Sequence, residues 1–325
     1  MSIGPPAKTE VVFADRKAAV LAPSILKCLS GLPTINLTSG CSHRCLYCYA
    51  RGYSQFPGEN RVVLYANTFD KLRKELPRKR RKPLAVYFSP STDAFQPVPA
   101  VLALGFNCMN FLLNHGIGVA ILTKGRIPER HMDLLTAHPK LVQVEIGVTT
   151  LDAAIQSVFE PCAAPPTVRM EQMARLVKAG IRTQARLDPI LPGITDDDAG
   201  LDALFSAIAA TGVKDAGAAA LFLRPMIVGS LRRNLSGHAK YLKELMREFT
   251  NAKRLPLYGE KGLVISLSVA KRSEIYARVG DIARAHGIAV HVCACKNSDL
   301  PSEPCGIAGA WRASREAAGL PLFDS

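Results

Sequence analysis

The sequence predicts an α/β protein, a partial, open (β/α)6 barrel of the TIM type with a C-terminal α+β extension. Between residue 34 and about residue 224, six short apolar runs alternate with longer amphipathic stretches. That alternation is the mark of parallel strands buried on both faces and wrapped by helices. Six such units fall short of the eight that close a complete barrel. Apolar residues make up 48% of the 325, enough to bury a substantial core.

In chain order, residues 1–33 form a mixed leader with Pro5, Pro6, Pro23 and Pro33, in which Cys28 stands without a local partner. Residues 34–235 form the barrel. Strands are expected over 34–38, 84–88, 118–122, 142–148, 182–187 and 217–223, and helices over 67–75, 98–114, 128–137, 168–179 and 197–210. Residues 236–325 form the extension, with helices over 235–249 and 273–286 and strands over 263–267 and 288–292.

No apolar run approaches the roughly 18 residues that span a bilayer, so no membrane partner is expected. The N-terminal residues Met1 to Lys8 lack a signal-peptide core. Nine cysteines, three of them clustered, fit a reducing cytoplasm better than a disulfide framework, so a cytoplasmic location is expected. The chain is basic, with 41 Lys and Arg against 27 Asp and Glu, and is densest in Arg78-Lys79-Arg80-Arg81-Lys82. That run reads as a solvated loop or as a contact to nucleic-acid phosphates.

The stretch Gly40-Cys41-Ser42-His43-Arg44-Cys45-Leu46-Tyr47-Cys48-Tyr49 carries the chemistry. Thiolates are the soft ligands of iron–sulfur clusters, and a four-iron cluster ordinarily takes four. Three in a C-x3-C-x2-C loop after the first strand point to a cluster with one iron left open for a ligand. Zinc held with His43 or a distant cysteine is the alternative reading.

This loop resembles the CxxxCxΦC signature of the radical S-adenosylmethionine (SAM) superfamily, and the string C-x3-C-x-Y-C-Y is similar to its spore photoproduct lyase-like branch. The resemblance implies a [4Fe–4S] cluster on Cys41, Cys45 and Cys48, with SAM on the open iron. It implies reductive cleavage of SAM to a 5′-deoxyadenosyl radical that abstracts hydrogen from a substrate. A flavodoxin- or ferredoxin-like donor would supply the electron. Tyr47 would present its backbone to the adenine, and Tyr49 would stand beside the cluster as a catalytic candidate.

In parallel α/β folds the site forms at the carboxyl ends of the strands. The second such loop, Ser89 to Pro97, offers Ser91 and Asp93 as acceptors for the SAM ammonium. Lys124, in the third loop, matches a family Thr-Lys pair that would meet the SAM carboxylate. The fourth offers Thr149 and Thr150 for the ribose or methionine portion, then Phe159-Glu160-Pro161 and Arg169, similar to a family Phe-Glu-Pro … Arg pattern. Arg169 is a candidate cofactor contact, or Glu160 and Arg169 form a structural pair. Thr195 reads as the cap of the next helix, and Arg224 as a further anion contact.

One departure matters. Spore photoproduct lyases carry a hydrogen-donating cysteine in the second loop, and Ser89 to Asp93 contains none. Cys162 could substitute as a catalytic hydrogen donor, or be an idle thiol. In the extension, Cys293, Cys295 and Cys305 near His291 read as an auxiliary iron–sulfur cluster, a zinc site or structural thiols, with Cys28, Cys108 or His291 as fourth ligand. The alternatives to a radical SAM enzyme of unidentified substrate are a DNA-repair lyase acting on thymine dimers, and a nucleic-acid-binding protein with a structural metal.

Overall fold

The computed structural model of the chain describes residues 9–24, 29, 32–256, 263–302 and 311. Strands β1 (Glu10–Ala14), β2 (Thr34–Ile35), β3 (Thr38–Ser39) and β4 (Arg61–Tyr65) precede helix α1 (Thr68–Glu75). Then come β5 (Ala85–Phe88), α2 (Pro99–Asn114), β6 (Gly118–Thr123), α3 (Glu129–Thr136) and β7 (Val142–Gly147). Helices α4 (Ala153–Phe159) and α5 (Pro166–Lys178) lead to β8 (Arg182–Ile190), α6 (Asp198–Ala210), β9 (Asp215–Ala220) and β10 (Phe222–Leu223). The chain continues through α7 (Pro225–Asn234), α8 (Ala239–Glu248), β11 (Lys253–Pro256), β12 (Leu263–Ser266), α9 (Val269–Ala285) and β13 (Ala289–Val292).

Seven strands form one parallel sheet in the order β13-β9-β8-β7-β6-β5-β2. The expected open α/β barrel is therefore present, with one strand more than the expected six. The added strand, β13, comes from the supposed extension and pairs with β9, so the sheet runs past the boundary expected at residue 235. The expected strand over 34–38 divides between two sheets: β2 joins the barrel, while β3 pairs with β4. The leader contributes β1, which adds to β4 in parallel. Glu75 at the end of α1 accepts the backbone N–H groups of Val20 and Leu21 and ties the leader down.

Strand alternation divides the core. Val86, Phe88, Val119, Ile121, Val144 and Ile146 pack outward into the helix-covered core. The opposite face of β5 and β6 carries Ala85, Tyr87 and Ala120, which enclose Leu29, Leu32 and Trp311 inside the barrel. Trp311 is fully buried, and a Cβ on Gly118 would stand 2.6 Å from its Cη2 atom. Gly118 is therefore glycine because the indole occupies its side-chain space.

Local signals start the helices. Pro99 and Pro166 occupy first-turn positions of α2 and α5. Asp152 caps α4 through Ala154 N–H at 2.7 Å, and Asp197 caps α6 through Gly200 N–H at 2.8 Å. Thr195 is not the cap it was expected to be; its hydroxyl accepts Leu191 N–H inside the preceding loop.

Trp311 is the sole tryptophan. Gly118→Ala should red-shift its fluorescence and destabilise the chain by about 1–3 kcal/mol, the usual cost of overpacking, measured by urea denaturation. An unchanged spectrum and midpoint would refute the plug.

Candidate active site

The carboxyl ends of the strands surround a cleft of about 1220 Å³, counting its open mouth. Cys41, Cys45 and Cys48 all line it, and all three thiols are free. Their loop is clamped from both sides. Ser42 N–H donates to Gln96 Oε1 at 3.0 Å, and Gln96 Nε2 donates to Thr38 Oγ1 and to the Asp93 carbonyl. Leu46 N–H donates to the Phe159 carbonyl, and Cys162 N–H to the His43 carbonyl. Gly40 and Arg44 turn the loop through positive φ, and at Gly40 a Cβ would lie 2.7 Å from Pro57 Cγ. Burial pushes all three thiols above the usual thiol range. The ligand-free chain thus holds them protonated, and metal binding must release those protons.

Asp93 organises the second loop. Its Oδ1 accepts Phe95 N–H and Thr123 O–H, each at 2.8 Å; its Oδ2 accepts Lys124 N–H at 2.8 Å and faces His43 Nδ1 at 3.3 Å. Burial works against its charge, yet His43 and these donors outweigh it and hold the carboxyl below the ordinary value. A carboxylate has about four acceptor positions. Asp93 lines the cleft but spends them on the protein, so it fixes the loop instead of offering itself to an ammonium. Ser91 also lines the cleft, its N–H donating to Asn36 Oδ1.

A second buried acid, Glu160, gathers the other expected residues. The Tyr47 hydroxyl and the Arg169 guanidinium both donate to it, Lys124 Nζ lies 3.4 Å away, and Thr149 O–H donates weakly at 3.4 Å. Burial opposes ionisation, but Arg169 and Lys124 bring its pKa down to about 2. Arg169 also donates to the carbonyls of Ala164 and Gly147 at 2.7 and 2.8 Å. Fully buried and spent on these partners, Arg169 is a strut and lies off the cleft wall, against the expectation of a cofactor contact. Thr149 and Thr150 also lie off that wall, with the Thr150 hydroxyl accepting Asp152 N–H.

Lys124 does reach the cleft. It donates to the Asp188 carbonyl at 3.0 Å and stands 5.6 Å from the Tyr47 ring centroid. A Cβ on Gly147 would lie 2.8 Å from its Nζ, so that glycine gives the lysine its path. Tyr49 lines the cleft and donates its hydroxyl to the Pro90 carbonyl. Cys162 lies behind the cluster loop, off the wall. Cys293 precedes the 3-10 turn after β13 and Cys295 lies within it, both off the wall, and Cys305 lies outside the described residues, as does Cys28.

The sequence reading missed Arg186, Asp188 and Lys296, all on the cleft wall. Arg186 and Asp188 occupy inward positions of β8, two residues apart. The polar alternation Gln184, Arg186, Asp188 in an otherwise apolar strand was the available signal. Lys296 follows the Cys-x-Cys pair, which drew attention from it.

The donor set fits an iron–sulfur cluster and SAM. Three free thiols share one cleft, as a cluster held by three cysteines requires. Among the described residues, His43 Nε2, Ser89 Oγ and Thr92 Oγ1 are buried without a hydrogen-bond partner, and all three residues line the cleft. Such orphans cost about 1–3 kcal/mol each, so their gathering here fits a cleft shaped for polar ligands.

Comparison with known proteins agrees. Residues 35–204 match the radical SAM superfamily, and the chain belongs to it. Membership carries a [4Fe–4S] cluster and SAM as the cofactor pair of an enzyme fold. An uncharacterized protein of Mycobacterium tuberculosis is 30% identical over 200 residues, 59% of each chain. A radical SAM Nalpha-GlyT isomerase of Pseudomonas phage M6 is 27% identical over 174 residues, 53% of this chain and 35% of that one. The chain thus spans less than two thirds of the curated relatives it matches. In fold it is similar to spore photoproduct lyase with bound AdoMet and dinucleoside spore photoproduct, with TM-score 0.62 at 17% identity, covering 86% of this chain and 81% of that one. No helix among the described residues is long and apolar enough to cross a membrane.

Glu160, with its pKa lowered from 4.5 to about 2, contributes stability that is present above pH 4.5 and lost as pH falls through about 2. Glu160→Gln should flatten the stability change across that window and cost about 3–5 kcal/mol at neutral pH, because Arg169 is left buried and unpaired. Urea midpoints over a pH series check both.

Proposed function

We propose that the chain is a radical SAM enzyme of the spore photoproduct lyase-like branch that abstracts hydrogen from a substrate bound in this cleft. The observation that carries the reading is the set of three free, half-buried thiols on one cleft wall, facing Lys124 and the hydroxyl-rich Ser89 to Asp93 loop. Cys41, Cys45 and Cys48 would hold the cluster. When bound, the cofactor pair supplies one-electron cleavage of SAM to a carbon-centred radical.

The chain's own residues do the rest. Asp93 locks the second loop, so that Ser91 and Thr92 present hydroxyls to the SAM ammonium at fixed positions. Lys124 offers the SAM carboxylate a cation whose reach is set by Gly147 and whose charge is balanced only in part by Glu160, which it shares with Arg169. Tyr47 braces the cluster loop through Glu160, and Tyr49 borders the space next to Pro90. The electron comes from a flavodoxin- or ferredoxin-like reductant.

Two measurements test the reading. Anaerobically reconstituted protein should show four-iron absorption and release 5′-deoxyadenosine with SAM and dithionite; Cys45→Ala should abolish both. A colourless protein after reconstitution would end this reading. Lys124→Met should keep the cluster while SAM binding weakens by about tenfold or more, the effect of about 1.4 kcal/mol. Unchanged SAM binding would remove Lys124 from its role.

A nucleic-acid substrate is the second reading, favoured by the formal charge of +14 and the likeness in fold to a lyase holding a dinucleoside photoproduct. Filter binding of ultraviolet-irradiated and intact DNA over a salt series decides it. A steep salt slope with preference for irradiated DNA supports it, and weak, flat binding to both removes it.

A further inference from the structure

The cleft has a second wall opposite in character to the thiols. Lys296 reaches into it from the turn after β13 and meets both carboxylate oxygens of Asp188, at 2.6 and 2.7 Å. Arg186 Nη2 lies 3.5 Å from the same carboxylate, and Lys124 holds the Asp188 carbonyl. The Lys296 ammonium also stands 5.3 Å from the Phe222 ring centroid. Three cations thus converge on one aspartate at the mouth of the barrel.

The turn carrying Lys296 is fixed from beneath. Asn297, nearly fully buried, donates to the Cys293 carbonyl at 2.9 Å and accepts from Arg272 at 2.9 Å and from the Tyr276 hydroxyl at 3.1 Å. Arg272, itself buried, pairs with Asp299 as well. This polar platform supports the turn after β13, and the side chain that the turn delivers to the cleft is the lysine. Gly217 completes the arrangement: a Cβ there would lie 2.9 Å from Arg186 Nη1. A cation held by its neighbours in this way is preorganised, as binding groups are.

Charge decides what it is held for. The cleft wall carries Arg44, Arg51, Lys124, Arg186 and Lys296, five cations. Against them stand Glu59, Asp93 and Asp188 on the wall and, behind it, Glu145 beside Arg186 and Glu160 shared between Lys124 and Arg169, which leaves an excess of one positive charge. The cofactor pair does not absorb that excess. An oxidised four-iron cluster on three thiolates carries one negative charge and SAM one positive charge, so the two cancel. An ammonium has three N–H donors, of which the Asp188 oxygens engage two.

We propose that Lys296, supported by Arg186, binds an oxyanion of the substrate, a phosphate or carboxylate, and that Asp188 holds the same cations in place before the substrate arrives. The proposal rests on the enzyme reading for its location and not for its chemistry, since the cations belong to the chain itself. Lys296 is then a specificity-determining residue, contributed by a part of the chain beyond the family match.

The probe is radiolabelled inorganic pyrophosphate, bound to the full chain in equilibrium dialysis before and after cluster loading. Lys296→Met should raise its dissociation constant at least about tenfold, and Lys296→Arg less than about threefold. Asp188→Asn should lower it, because a competing carboxylate is removed. If the pair only ties the last strand to the barrel, Asp188→Asn would weaken binding no less than Lys296→Met does, or neither would change it; either result overturns the proposal. Thermal melts identify a variant that fails to fold, and Asp188→Asn and Lys296→Arg then carry the decision. Acetate that displaces the probe assigns a carboxylate, and acetate that does not assigns a phosphate. Cubane absorption is read separately, so a chain without a cluster refutes the enzyme reading, while a clustered chain with Lys296-independent binding refutes this one.

Discussion

The buried carboxylate of Glu160 is the junction on which the mouth of the barrel depends. It joins Tyr47 of the cysteine loop, Lys124 after β6, Thr149 after β7 and Arg169 of α5. Four segments far apart in sequence are thereby held in one register by charge-assisted bonds in a low-dielectric interior, where each is strong and the loss of one strands the others. With Arg169 providing most of the compensation, Lys124 keeps a share of positive charge for the cleft.

Asp93 does for the opposite side of the cysteine loop what Glu160 does for the near side. It ties the second and third loops together through Thr123 and Lys124, and reaches the cysteine loop through His43. The loop is thus held between two ionised, buried acids. This accounts for a conspicuous feature of its thiols: burial and neighbouring carboxylates push them up, and Asp93 and Glu160 act on Cys41 and Cys45 respectively. The scaffold makes bare thiolates unfavourable there, and it is the positive charge of bound metal that reverses this preference.

Much of the architecture was legible. Apolar runs with turn-formers between them located the strands of the barrel, because a parallel strand buried on both faces must be apolar throughout. The cysteine spacing located the cluster loop, since the chemistry of its ligands is written in consecutive residues. Pairing was harder to read. Strand β13 joins β9 across more than seventy residues, and β1 joins β4 across the cysteine loop; neither choice is encoded locally. The site residues divide in the same way. Asp93 and Arg169 have the residue types of ligands, and only their surroundings show that the protein consumes their hydrogen bonds. Arg186, Asp188 and Lys296 lie outside any short motif and meet only because the fold brings β8 and the turn after β13 to one cleft.

This division bears on where specificity resides. The superfamily match ends at residue 204, after the segments that bring the thiols, the hydroxyl loop and Lys124. On the function proposed above, those segments form the half of the cleft that would hold the cofactors shared by the superfamily. Ala220 to Phe222, Ile227 and Lys296, which line the other half, come later. A wall built from β9, β10, α7 and the turn after β13 can change without disturbing the two acid junctions, because none of its described side chains enters the Glu160 or Asp93 networks. Lys124 is where the halves touch: its ammonium faces Glu160 on one side and the Asp188 carbonyl on the other. On the two proposals above, a substrate on the Asp188 wall would lie next to the cation offered to the cofactor, and that shared lysine would couple the two ligands with no movement of the barrel required.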